Sequence, residues 1–115
     1  MTQTSLPCTA TESEITPAEQ CFDMPHLRAA IDALDEKLVV LLALRQRYIE
    51  RAAEIKVQRA AIRDEARIAD VLAKVMAAAA RSNLAPDIAR AVWSTLMERS
   101  IALELARFEA LQRCK

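Results

Sequence analysis

The chain has 115 residues, no glycine and four prolines, and its composition is 53% apolar with only 3% aromatic. Tight β-hairpins rely on Gly or Asn-Gly turns, so this composition excludes a hairpin-rich sheet and predicts an all-α domain, too small for two cores. Sixteen basic residues against sixteen acidic ones create no net field toward nucleic acid, and so few aromatics make no platform for stacking bases.

Residues 1–22 are rich in Thr, Ser and Glu and are interrupted by Pro7 and Pro17. They read as a flexible N-terminal arm, with Cys21 and Phe22 placed to dock on the body. The helical domain then occupies residues 23–115. No basic segment followed by an apolar core marks a secretory signal, and the longest apolar run, Leu38 to Leu44, is too short to cross a membrane. A reducing cytoplasm is therefore the expected location. Cys8, Cys21 and Cys114 form no CxxC pair and His26 is the only histidine, so neither a metal site nor a disulfide framework is indicated.

Asp23 followed by Met24 and Pro25 reads as a cap and an early-turn proline opening the first helix. Its apolar period runs without a breaker to about Arg59, roughly 50 Å of helix. A helix that long needs partners along its whole face, which predicts a homodimer built on it. Residues 60–64 read as a connection, with Asp64 capping a second helix from Glu65 to about Arg81. Ile68, Val71, Leu72, Val75 and Met76 form its buried side. Ser82-Asn83-Leu84-Ala85 is the next break, and Pro86 suits the first turn of a third helix ending near Arg113. Ile88, Val92, Trp93, Leu96, Leu103 and Phe108 are its expected core residues.

Arg45 and Lys56 lie eleven positions apart, about three turns, so both point the same way. Their face carries Leu34, Leu38, Leu41, Leu42, Ile49 and Ala52. Cations in an apolar stripe must pair or await an anion. The plainer alternatives are a snorkelling Arg45 beside Glu50 or Glu54 and a solvated Lys56 near a helix end. Arg28 is about 100° away from Arg45 around the axis. It is either a surface arginine or, in an antiparallel or crossed dimer, a contributor to the partner's pocket. Arg67, three residues after Asp64, either aims into the same space or stays on the surface. Ser100 and Glu104 share one face of the third helix. A protonated Glu104 can donate a hydrogen bond, which a carboxylate cannot; a salt bridge to Arg107 or Arg99 is the other option.

Several cations around an apolar cavity describe a receptor for a small dianion. Ser100 and the cysteines have no histidine beside them to act as base, and no Gly-rich phosphate loop is present. An enzyme of this kind works by holding and polarising its substrate.

These spaced positions resemble the all-helical chorismate mutases and the related isochorismate pyruvate lyases over residues 24–112. The family pattern LRxxIDxLDxxLxxLLxxR, a lysine eleven residues on, then DxxR is met by Leu27-Arg28, Ile31-Asp32, Leu34-Asp35, Leu38, Leu41-Leu42, Arg45, Lys56, Asp64 and Arg67. The resemblance implies an intertwined homodimer of three-helix chains with two equivalent sites and no cofactor. It implies that Arg28 binds a substrate carboxylate in the partner's site and that Arg45 binds the other carboxylate. Lys56 then meets the ether oxygen, while Asp64 and Arg67 line the region of the ring and its hydroxyl. Ser100 and Glu104 match positions where many relatives carry Ser and Gln. The implied reaction is the rearrangement of chorismate to prephenate. Ile68 replaces a Glu found after Arg67 in many mutases and looks more like the lyases, which form salicylate and pyruvate from isochorismate. A non-catalytic helical dimer serving as an interaction module is the alternative of another class.

Overall fold

The computed structural model describes residues 15–114. Among them three helices make an all-α fold: α1 over Met24–Ile55, α2 over Glu65–Arg81 and α3 over Pro86–Arg113. Short 3₁₀ turns occupy Ala18–Gln20 and Arg59–Ala61. Residues 1–14 of the expected N-terminal arm, Cys8 included, lie outside the described residues. By compactness the chain divides into two units, Met1–Arg45 and Gln46–Lys115, parted within α1.

In the first unit the Asp23 carboxylate accepts a hydrogen bond from the His26 backbone N–H at 2.9 Å, satisfying a donor that a helix start leaves open. The residues before it are tied to the His26 ring. Phe22 N–H donates to Nδ1 at 3.4 Å, and Nε2 lies 3.3 Å from Thr16 Oγ1. With Nδ1 accepting, the neutral ring carries its proton on Nε2 and donates it to the threonine. Phe22 stacks on the same ring at 4.6 Å yet stays largely exposed, whereas Cys21 is half-buried. Along α1 this unit leaves Leu34, Leu38, Val39, Leu41, Leu42 and Leu44 between 42% and 63% exposed.

The second unit has its core where the end of α1, the turn after it and α3 meet: Ala53, Ile62 and Phe108 are buried together, with Ile101 and Leu105 packed on them. The sequence places α1 as far as Arg59, but it stops at Ile55, and Gln58 is extended at φ −127°, ψ 134°. Ile55 and Val57 are β-branched and indifferent helix formers. Leaving the helix here lets the chain turn back and bury Ile62 to 3% exposure, a tertiary gain that overrides the local period.

α2 begins where expected. Asp64 accepts from the Arg67 backbone N–H at 3.1 Å, and Ile68, Val71, Leu72, Val75 and Met76 are all half-buried or better. Its end uses the one positive φ among the described residues, Asn83 at 59°. Leu84 N–H bonds to Ala79 O at 2.9 Å and Asn83 N–H to Ala80 O at 3.4 Å, the paired closure of a Schellman motif. A chain without glycine fills the left-handed position with asparagine, the next most tolerant residue. Pro86 then opens α3 in its first turn, and α3 packs along α2. Ala89, Met97, Glu104 and Phe108 are its buried residues. Trp93, Leu96 and Leu103 are half-buried, but Ile88 and Val92, expected in the core, are 54% and 47% exposed. They sit one position before Ala89 and Trp93, about 100° off the buried stripe.

Candidate active site

The polar centre of the second unit is an ion pair between Lys56, first residue past α1, and Glu104 in the middle of α3. Nζ and Oε2 are 2.8 Å apart, and the side chains are 30% and 6% exposed. Local structure explains the reach. The Lys56 backbone N–H still bonds to Ala52 O at 3.0 Å, so the residue leaves α1 in helical register while the chain behind it peels away. Glu104 belongs to the α3 stripe of Met97, Ile101 and Phe108, which buries it whatever its charge. A carboxylate there needs a counter-charge, and Lys56 supplies it. The contact is ionic in distance but lacks hydrogen-bond direction, so Oε2 is buried with its hydrogen-bonding capacity unused.

The sequence offers Glu104 the arginines Arg99 and Arg107 of its own helix, but Arg107, three positions on, turns instead to Glu54 of α1, 3.7 Å away. Glu54 is also held by Arg51 at 2.8 Å, and the Arg51 hydrogen bond, with help from Arg107, keeps its carboxyl below the ordinary glutamate range. Farther along, Arg59 reaches Glu109 at 3.0 Å. Arg63 spans Glu98 with Nη1 and Nη2 and touches Glu65 through Nε at 2.7 Å. The paired hydrogen bonds from Arg63 depress Glu98, and the two carboxylates raise the Arg63 guanidinium. These pairs fasten the connection between α1 and α2 to α3, and with it the backbone from which Lys56 extends. Sequence reasoning missed them because the partners are far apart in the chain; only the matching charges could have hinted at them.

The other site residues fall as follows. Asp64 spends a carboxylate oxygen on capping α2. Arg67, a ring-region residue by the resemblance, is 63% exposed and pairs with Asp70 at 2.7 Å; Lys74 shares that carboxylate at 3.0 Å. Lys74 and Arg67 together hold Asp70 below the ordinary range. Ser100 is half-buried one turn before Glu104. In the first unit, Arg28 is exposed and Arg45 half-buried. No helix among the described residues is long and apolar enough to cross a membrane.

A buried glutamate paired with a half-buried lysine and framed by arginine–carboxylate clamps suits electrostatic catalysis on an anion. In a comparison with known protein families, residues 27–105 match the model for chorismate mutase type II. Curated proteins and solved structures gave no match. The matched stretch covers more than half of the chain and contains Arg28, Arg45, Lys56, Asp64, Arg67, Ser100 and Glu104. The chain belongs to the chorismate mutase type II family, and its activity is that of the family, the isomerisation of chorismate to prephenate.

Proposed function

We propose that the rearrangement takes place at the Lys56–Glu104 pair, with arginines from two copies of the chain holding the substrate. Chorismate is a dianion whose reaction is unimolecular: a C–O bond breaks as a C–C bond forms, and nothing is transferred to the protein. The catalyst must fold an extended molecule into its reactive conformer and stabilise negative charge on the ether oxygen. Arg45 binds one carboxylate and Arg28 of a second copy binds the other, which fixes the conformer. Lys56 donates to the ether oxygen as charge grows there, and Glu104, when protonated, donates beside it. Ser100 lines the α3 side, and Asp64 and Arg67 serve the ring and its hydroxyl, Arg67 exchanging Asp70 for substrate.

The homodimer is supported by the apolar stripe of α1, whose leucines stay exposed over Leu34 to Leu44. An apolar surface of that length is costly in water and is covered when two such helices meet. A cytoplasmic location suits Cys21 and Cys114, both free thiols. The observation that carries the site is the depth of Glu104: a carboxylate 6% exposed and touching one ammonium is an expensive arrangement for stability alone. The test is to supply purified protein with chorismate and, separately, isochorismate. Prephenate from the first, lost in Lys56→Ala, supports the assignment; salicylate and pyruvate from the second would reassign it to the lyase reaction, which Ile68 beside Arg67 favours.

A further inference from the structure

Three cations of the stretch that joins α1 to α2 each meet a carboxylate of α3: Lys56 with Glu104 at 2.8 Å, Arg59 with Glu109 at 3.0 Å and Arg63 with Glu98 at 2.9 Å. The stretch has little else to hold it. Of residues 57–64 only Ile62 is buried, and the regular structure is one 3₁₀ turn over Arg59–Ala61. Val57, next to Lys56, is 85% exposed.

The three contacts differ in kind. Lys56–Glu104 lies in the proposed site, whereas the other two are at the surface. Glu98 and Glu109 are eleven positions apart on α3, about 16 Å along its axis and within about 20° of each other around it. Glu104 points about 120° or more away from both. The outer carboxylates therefore form a rail along one edge of α3, on which the connection rests, with Glu104 on the inward side. Arg63 is the firmer support. Its Nη1 and Nη2 fork onto both oxygens of Glu98, while Nε holds Glu65 in the first turn of α2 at 2.7 Å. One guanidinium thus joins the connection, α2 and α3, in a planar geometry that an ammonium does not reproduce.

In the proposed reaction Lys56 turns ammonium protons from Glu104 toward the ether oxygen. The inner contact is then loosened in the state where Nζ must be best placed. The outer pairs include no group of the site, so the substrate leaves them intact.

We propose that Arg63, through its fork to Glu98, is a positioning residue for Lys56, with Arg59–Glu109 as the second support. The two surface pairs keep the connection in register on α3 while the substrate draws Lys56 off Glu104. The inference rests on the reading of Lys56–Glu104 as the site of the mutase reaction. Surface pairs contribute little to stability, whereas a misplacement of about 1 Å can cost about a hundredfold in rate. The effect of the clamp belongs on turnover.

Steady-state kinetics of the full chain with chorismate test it, beside urea titrations of the same proteins. Arg63→Gln should lower kcat about tenfold, with the larger change in kcat rather than KM and a urea midpoint near that of wild type. Arg63→Lys, which keeps the charge and loses the fork, should recover part of the rate. Asn83→Ala is the control for stability, weakening the corner between α2 and α3 without lowering kcat. Wild-type turnover in Arg63→Gln, with Lys56→Ala slow, overturns the inference and leaves the functional reading intact. A wild-type protein that does not convert chorismate, or a Lys56→Ala variant that converts it unimpaired, overturns the functional reading and the inference with it.

Discussion

Arg63 holds Glu98 through two parallel hydrogen bonds, Nη1 to Oε1 at 3.1 Å and Nη2 to Oε2 at 2.9 Å, and so ties the turn before α2 to α3. Such a fork is the strongest geometry an exposed ion pair can adopt, although each surface pair contributes little alone.

That clamp and its neighbours predict how the fold responds to acid. Glu98, Glu54 and Asp70 are all held below their ordinary values, by Arg63, by Arg51 with Arg107, and by Lys74 with Arg67. A depressed carboxylate contributes stability that is present above its unfolded value and is lost as pH falls through its folded one. The urea midpoint should therefore be level near neutrality and decline below about pH 4. Glu98→Gln should make that decline shallower; an unchanged slope would remove the clamp from the account.

Removing Lys56 should damage both chemistry and fold. Lys56→Ala is expected to lower kcat by about 10²- to 10³-fold and to cost about 1–3 kcal/mol by stranding Glu104. Replacing both partners with apolar residues, Lys56→Met with Glu104→Leu, should recover the stability while activity stays absent. Paired urea titrations and initial rates measure the two effects separately.

The asparagine at the α2–α3 corner offers a test free of the site. Asn83→Ala forces a Cβ without a compensating polar group into φ 59° and should destabilise by about 1 kcal/mol. Asn83→Gly should be neutral or slightly stabilising. Thermal melts of the three proteins would rank them, and kcat/KM should not change.

Asp64 has an observed role and a proposed one to separate, since its side chain caps α2 while the proposed function sets it beside the substrate. Asp64→Asn keeps a capping oxygen, and Asp64→Ala loses it at about 1 kcal/mol. A rise in KM in the Asn variant with unchanged stability would assign the carboxylate to the ligand. Equal kinetics in wild type and Asn variant would leave Asp64 a cap alone.

The exposed leucines of α1 predict the assembly. Leu41→Glu, at a position 56% exposed, should leave the helix content of the chain intact and shift sedimentation from dimer toward monomer. Activity should fall with it under the proposed reading, in which Arg28 completes the site of a second copy.

What the sequence made legible was mostly local. The caps at Asp23 and Asp64, the bounds of α2 and α3 and the break at Asn83 follow from side chains acting within a few residues of themselves. The end of α1 was not local: Ile55 gives way because Ile62 and Lys56 gain more by leaving the helix than by continuing it. Glu104 shows the same limit, since helical neighbours suggest an arginine of α3 and the observed partner comes from beyond α1. Arg67 shows the converse, its visible partner Asp70 being a helical neighbour three residues on.

The termination of α1 at Ile55 carries one more consequence. The Lys56 ammonium stands at the very edge of α1, where the last helical bond runs from its N–H to Ala52 O, and its partner Glu104 is made long after it during synthesis. A nascent or truncated chain lacking α3 has Lys56 but nothing to aim it. Competence therefore arrives only with closure of the last helix, and proteolytic fragments ending before position 104 should be inert however well their own helices form.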